Sequence, residues 1–354
     1  MFYQLGGANQ WTGNYTIDAT NGGNSQFVEI KTPSAISTLT NITVESGNTL
    51  AMAASGTFTG PAIAISGTGA SSRGALRIDA TSTLNNSVTL SSSARIATIN
   101  DGIVATLAGN ITGASQLDQN SSGAVGTLIY SGTSTFNELL VSKGNAQIGA
   151  ASAGSITGNV TASGAAAMVT GTGTVIGNLN VTTGMVKPGD HSGTGIAGAG
   201  MGVGTLNVNG SASLSLIAPG TAAQFQMGLA ASDRLAITGN LALNGNSTIV
   251  GLFTAGYTPT AGGTWDLITY GGNLTPDTFD LGTNLRTGAD AAGNEGNLNL
   301  PDVSANGLLW NVALANGALT ATLVVPEPSA ALLFGGSCAF LALRRRKRAT
   351  SKND

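Results

Sequence analysis

The sequence predicts an all-β chain wound as a parallel β-helix, or solenoid, and three observations carry that reading. Charged residues make up 9% of the 354 positions, against about 25% in ordinary globular proteins. The 52 glycines, helped by Ser, Thr and Asn, punctuate the chain every handful of residues and separate short runs in which apolar residues alternate. One such unit recurs with drift. Low charge with 5% aromatics would also suit disorder, but disorder by that route needs low hydrophobicity and high net charge, and here 42% of residues are hydrophobic and the net charge is −3.

Residues 1–220 are read as the solenoid. In Asn41-Ile42-Thr43-Val44-Glu45 the parity puts Ile42 and Val44 on one face of a strand and polar residues on the other. In the run from Ser72 to Asp79, Arg73, Arg77 and Asp79 share a parity expected to be wet, while Leu76 and Ile78 share the buried one. The recurring unit then sets in: Gly109-Asn110-Ile111-Thr112-Gly113, Gly154-Ser155-Ile156-Thr157-Gly158-Asn159-Val160 and Gly177-Asn178-Leu179-Asn180-Val181, with later copies at Gly204 to Gly210 and Gly239 to Gly245. Each puts a glycine or asparagine before an alternating apolar pair. Imperfect recurrence of one strand between turns marks a stacked array in which each rung buries its face against its neighbours. Small inward residues suit a narrow solenoid, whereas a sandwich, the competing all-β architecture, wants larger aromatics between its sheets.

The stretch from Gly171 to Val181, then Val186-Lys187-Pro188-Gly189-Asp190 and Gly204-Thr205-Leu206-Asn207-Val208, resemble passenger sequences that carry autotransporter-associated β-strand repeats. That resemblance implies a right-handed parallel β-helix at the cell surface. Ser192 to Val203, a glycine-rich loop, interrupts the pattern between turn and strand.

From Thr221 the texture changes to longer alternating strands with Trp265 and Tyr270, and residues 221–324 are expected to form an antiparallel β cap protecting the open edge of the solenoid. A polar loop is expected from Gly271 to Pro301. Leu308 to Leu314 and Leu319 to Leu323 flank Asn316-Gly317, a hairpin signal because both residues accept positive φ. Trp265, Tyr270 and Trp310 are expected to fill the core of the cap, with an exposed stacking platform as the alternative.

Residues 325–348 stand apart. Val325-Pro326-Glu327-Pro328-Ser329 precede an apolar run from Ala330 to Leu343, whose members include Leu332, Leu333, Phe334, Phe340 and Leu341, and then Arg344-Arg345-Arg346-Lys347-Arg348. As a short C-terminal helix the run would span roughly 21 Å against roughly 30 Å of hydrocarbon, a marginal membrane segment suited to transient insertion. The basic stop would stay cytoplasmic and place residues 1–325 on the far side. Motif, run and basic stop together resemble the PEP-CTERM sorting signal of exported bacterial proteins. The resemblance implies an exosortase-type processing enzyme in the inner membrane as partner, cleavage of the tail, and release to the cell surface or extracellular matrix. An exported chain also needs a signal peptide, and Met1 to Gly7 has neither a basic region nor an apolar core; the expectation is that the natural chain starts upstream.

Chemistry is sparse. His191 is the single histidine, and its neighbours Asp190 and Ser192 are adjacent in sequence, whereas triads assemble from separate elements. Asp277 with Asp280, and Asp290 with Glu295, are the densest carboxylates, and neither set fits an EF-hand loop. Asn-x-Thr triplets such as Asn41-Ile42-Thr43 and Asn159-Val160-Thr161 receive no function, and Cys338 is read as a small hydrophobe within the apolar run. No catalytic residue, cofactor or metal is expected, and outside the tail the charge offers no footprint for nucleic acid. The expected role is a non-enzymatic surface or matrix protein of structural or adhesion type, with extracellular polysaccharide as a further candidate partner. A β-helix polysaccharide-processing enzyme and a carbohydrate-binding module are the alternatives.

Overall fold

In a computed structural model of the chain, residues 2–7, 11–18, 25–100, 102–120, 126–150, 153–190, 202–229, 231–288 and 296–326 are described. They form an all-β solenoid of about ten turns. Among the described residues the only helical pieces are three-residue 3₁₀ turns, such as Pro33–Ala35.

Each coil has three arms. In one coil these are Ala62–Gly67, Leu76–Ile78 and Ser82–Leu84. Each arm hydrogen-bonds in parallel to its counterparts in the neighbouring coils, so the rod carries three ladders, here called the first, second and third faces. The sixteen-residue strand Thr133–Ile148 crosses all three faces, pairing in turn with 155–157, 159–162 and 167–170. The coil length varies between faces and turns: Ile156 lies opposite Val175, 19 residues on, whereas Val175 lies opposite Val208, 33 residues on.

The core is a set of columns. On the first face Ile42, Ile63, Val88 and Ile111 stack in register. On the second, Leu139, Val160, Leu179, Ala212 and Leu241 do so, and on the third Ala105, Leu128, Ala146, Val169 and Val186. All of these side chains are fully or almost fully buried. A parallel ladder repeats every ~4.8 Å, so an aliphatic side chain rests on the like-placed side chain of the next coil. The recurring units from Gly177 and Gly239 are the chain turning from first to second face, while those from Gly109, Gly154 and Gly204 begin at the turn on to the first face, and the last two run on through the same corner at Gly158 and Gly210.

That corner explains the glycines at 158, 177, 210 and 239. A Cβ on Gly177 would lie 2.3 Å from the Gly158 carbonyl oxygen, one on Gly210 would lie 2.2 Å from that of Gly177, and one on Gly239 would lie 2.7 Å from that of Gly210. The corners therefore stack backbone on backbone. The next residue ties the rungs together: Asn159 Oδ1 accepts the Asn178 N–H at 3.1 Å, Asn178 Oδ1 accepts the Ser211 N–H at 2.9 Å, Ser211 Oγ accepts the Asn240 N–H at 3.1 Å and Asn240 Oδ1 accepts the Asn273 N–H at 2.7 Å. Each short side chain satisfies the corner amide that the next coil would otherwise leave unpaired.

Three expectations are corrected. Antiparallel pairing does not begin at 221: Gly220–Met227, Arg234–Ile237, Leu241–Asn244 and Ser247–Phe253 continue the parallel ladders. Alternation reports which side of a strand is buried, not the direction of its neighbour, so the longer strands gave no means of telling the two pairings apart. The antiparallel part is confined to Thr264–Tyr270 against Ala318–Val324, the hairpin Leu309–Ala315 with Ala318–Val324, and Leu285–Arg286. Second, the stretch expected as a polar loop contributes Leu274–Asp277 and Leu298–Asn299 to the second and third faces. Third, Arg77 is 5% exposed rather than wet, because its guanidinium lies 4.4 Å from the centre of the Phe27 ring and pairs with Asp79.

The hairpin turns at Asn316 and Gly317, with φ of 53° and 78°, the turn that the pair Asn-Gly predicts. Its strand Ala318–Val324 covers the edge of Thr264–Tyr270 and so closes one end of that face. Trp265 and Trp310 are buried there, their ring centres 5.6 Å apart, packed with Phe253 and Tyr257, and Tyr270 is half-buried. The expected apolar helix at 330–343 lies outside the described residues; among those, no helix is long and apolar enough to cross a membrane.

The corner stack makes a measurable demand. Gly210→Ala should lower stability by about 1–3 kcal/mol through overpacking, and Asn178→Leu by about 1–2 kcal/mol through the orphaned Ser211 amide. Urea unfolding followed by far-UV circular dichroism reads both, and an unchanged midpoint for either would refute this account of the corner.

Candidate functional site

Three places bear on chemistry: the exit of the chain at Val325, the ionisable side chains of the faces, and a buried polar cluster on the third face. The last strand, Ala318–Val324, hands the chain to Val325 and Pro326, both exposed, Val325 at 62%. The segment that begins at Val325 thus starts in solvent, one residue past the hairpin that closes the cap. Glu327, Pro328 and Ser329, the apolar run from Ala330 and the basic stop from Arg344 lie outside the described residues, as do His191, Ser192, Asp290, Glu295 and Cys338.

Charged side chains on the second face pair off where they stand. Lys31 meets Glu29 at 2.8 Å, Arg77 meets Asp79, and Arg95 meets Asp118 at 2.7 Å. Glu138 accepts from Gln116 at 2.7 Å and from Thr161 at 2.7 Å, linking three successive rungs. These are lateral contacts between like-placed residues of neighbouring coils or within one strand, and they leave no converging acid and base. Asp280 is absorbed by its own turn, accepting the Gly282 N–H at 2.9 Å. No group of three or more His, Cys, Asp or Glu among the described residues could hold a metal ion.

The buried cluster is where the fold places ionisable groups that the sequence reading passed over. Gln147, Thr170 and Lys187 are opposite one another on successive rungs of the third face, and all three are at most 1% exposed. Asp233, fully buried, comes in from the turn before Arg234–Ile237. Its carboxylate accepts the Gly204 N–H at 3.0 Å and the Gln226 N–H at 2.9 Å, so it staples two segments of the coil that follows the 191–201 stretch. Asp190 accepts from Thr172 at 3.0 Å and sits beside this staple. The only sequence signal was the cation in Met185-Val186-Lys187-Pro188, an otherwise apolar strand.

Burial governs the electrostatics. It pushes the Asp233 carboxyl up to about 7, against the opposing pull of the two backbone N–H groups and of Lys187, and it pushes the Lys187 ammonium down, against the pull of Asp233. Both shifts favour neutral side chains. In a solvated cleft such a pair could serve as acid and base, but here neither group reaches the surface and the carboxylate is occupied by backbone donors. The cluster is structural.

The Asn-x-Thr triplets also find their places. Asn41 and Thr43 point outward on the first face, while Asn159 forms a rung of the corner ladder. Trp265 and Trp310, being buried, are excluded as a stacking platform.

A carboxyl whose pKa is higher folded than unfolded, about 7 against 3.8 for Asp233, favours the folded state at low pH, and the contribution is lost as pH rises from the lower value through the higher. The melting temperature should therefore fall as pH goes from about 4 to about 8, and this slope should flatten in Asp233→Asn. Thermal melts across that range read it; a wild-type slope retained in the variant would show that other groups set it.

No protein-family model matches the chain, and no curated protein matches it.

Proposed function

We propose that this chain is an exported bacterial protein of the cell surface or extracellular matrix, structural or adhesive in role, whose body is a right-handed β-solenoid and whose C-terminal tail is an address. An exosortase-type enzyme of the inner membrane recognises Val325 to Ser329 and removes the tail while the run from Ala330 to Leu343 is transiently inserted, with Arg344 to Arg348 held on the cytoplasmic side. The observation that carries the reading is the placing of the motif. Val325 and Pro326 emerge exposed immediately after a completed cap, so a processing enzyme can reach the scissile region without unfolding any strand.

The body supports the same reading. Its buried ionisable pair is stapled into the backbone and its surface charges are paired laterally, which is the economy of a rod and not of a catalytic groove. The role is therefore non-enzymatic, and the activity of the tail belongs to its partner. Adhesion follows from exposure of a long, weakly charged surface outside the cell.

Expression in a bacterium that carries an exosortase tests this. The wild-type chain, supplied with a secretion leader, should be recovered outside the inner membrane with an intact mass shortened by the tail. Pro326→Ala with Glu327→Ala should accumulate at full length in the membrane fraction. A wild-type product that keeps its tail would overturn the proposal.

A further inference from the structure

The asparagine-glycine hairpin carries a chemistry that the export reading leaves unused. An asparagine followed by glycine can close on itself: the glycine main-chain nitrogen attacks the side-chain amide carbon, and glycine, having no Cβ, leaves that nitrogen unshielded. Five such pairs occur in the chain, Asn21-Gly22, Asn209-Gly210, Asn244-Gly245, Asn306-Gly307 and Asn316-Gly317. The first lies outside the described residues, and the fold treats the other four unequally.

Three of the four are locked. Asn244 Nδ2 donates to the Leu216 carbonyl at 2.8 Å and Asn244 Oδ1 accepts the Ser247 hydroxyl at 2.7 Å, while the Gly245 N–H donates to Thr278 Oγ1 at 3.0 Å. Both reacting groups are therefore engaged. At the next pair the Gly307 N–H donates to the Ser304 carbonyl at 2.9 Å. Gly210 is clamped in the corner stack: the Gly177 carbonyl oxygen lies 2.2 Å from where its Cβ would stand, and its own carbonyl accepts the Gly239 N–H at 2.8 Å. Ring closure has to swing the peptide that joins the two residues, and at these places that means breaking contacts that hold the fold locally.

Asn316 and Gly317 differ because they are the tip of a hairpin. The flanking strands pair up to Ala315 opposite Ala318, so the peptide between Asn316 and Gly317 belongs to the turn alone. Asn316 is exposed, and among the described residues neither its side-chain amide nor the Gly317 N–H has a hydrogen-bond partner. One bond ties the tip to the body, from the Tyr270 N–H to the Gly317 carbonyl at 2.7 Å.

From these contrasts we infer that Asn316 is a site of spontaneous intramolecular modification, passing through a succinimide to aspartate and isoaspartate, and that the conversion loosens the cap. The Gly317 nitrogen bonds to Asn316 Cγ and gives up its proton to solvent, the Cγ–Nδ2 bond breaks, and ammonia leaves. Water then opens the ring at either carbonyl. The sum is one amide and one water giving one carboxylic acid and one ammonia. Opening at the main-chain carbonyl gives isoaspartate, whose backbone runs through the former side chain and is one atom longer. A two-residue hairpin loop is matched to its turn type, so the added atom misfits the turn and draws the Gly317 carbonyl off the Tyr270 N–H. That bond and the pairing of Ala318–Val324 on Thr264–Tyr270 hold the covering strand at the end where Trp265 and Trp310 are buried. The cap thus ages from its tip by a reaction that needs only water. The inference rests on the hairpin and not on the tail.

Peptide mapping by mass spectrometry of purified full-length protein, aged folded at mildly alkaline pH, tests it. The peptide that holds Asn316 should gain about 1 Da and become a substrate for an isoaspartyl methyltransferase. It should do so at least about tenfold faster than the peptides that hold Asn209, Asn244 and Asn306. In urea that unfolds the chain, the four should convert within about threefold of one another, because the local structure that protects three of them is gone. Asn316→Gly keeps a turn that accepts positive φ at both residues; its urea midpoint should hold constant on ageing while that of the wild type falls. Folded protein in which Asn316 keeps its amide, or loses it no faster than the three locked sites, overturns the proposal. An unfolded chain in which Asn316 keeps its lead overturns it too, since the selectivity would then belong to the sequence and not the fold. Conversion that leaves the wild-type midpoint unchanged overturns the consequence for the cap. The peptide map is read on the wild type, so it decides the matter whether or not Asn316→Gly folds, and a failure of tail processing leaves its result standing.

Discussion

The constraint on which this molecule depends is the ~4.8 Å spacing of a parallel ladder, which has to hold at the corners as well as along the strands. On the faces it is met by hydrogen bonds and by aliphatic columns. At the corner between the first and second faces there is no room for a side chain between successive turns, so Gly158, Gly177, Gly210 and Gly239 stack carbonyl against Cα. The side chains of Asn159, Asn178, Ser211 and Asn240 then supply the acceptors that the bent backbone lacks. With that corner held, the others are free to vary, and residues opposite one another on successive rungs are separated by as few as 17 and as many as 49 positions while the ladders continue. Loop-closure entropy grows slowly with length, so such insertions cost little.

A ladder that repeats must also stop. At the C-terminal end the strand Ala318–Val324 runs antiparallel to Thr264–Tyr270 and occupies its edge, and the two tryptophans fill the space that the next aliphatic rung would have taken. Their indole N–H groups find backbone carbonyls, Trp265 at Gly228 and Trp310 at Pro301, so the larger rings are buried without an unpaired donor. The placing of Val325 in solvent follows from this closure: the chain leaves the fold from the covering strand itself. The stapling of Gly204 and Gln226 by Asp233 answers a related problem, since a coil that follows a long excursion needs a fixed point on which to resume the ladder.

Charge is distributed by face. The second face holds Glu29, Lys31, Arg77, Asp79, Arg95 and Asp118 in pairs, of which only Lys31–Glu29 has an exposed member. On the first face, the outward residues that stand opposite one another from Thr16 to Thr157 over seven rungs include no charged residue. The same fold thus presents two chemically different surfaces, one carrying ion pairs and one carrying uncharged hydroxyls and amides.

The sequence by itself determined the class of fold and the asparagine-glycine hairpin, because each is written in local residue order: period-two alternation, and a dipeptide that accepts positive φ. It showed Gly177-Asn178 and its repeats as a unit but not their purpose, since the contact that requires glycine is with another coil. It misplaced the start of the cap because parallel and antiparallel strands share one alternation. It passed over Lys187 and Asp233, separated by 46 positions, and the uncharged outward column from Thr16 to Thr157, whose members lie about a coil apart. Only the winding of the chain decided these, because in a solenoid the neighbour that matters is the residue one turn away, and the length of the turn is set by how each corner packs.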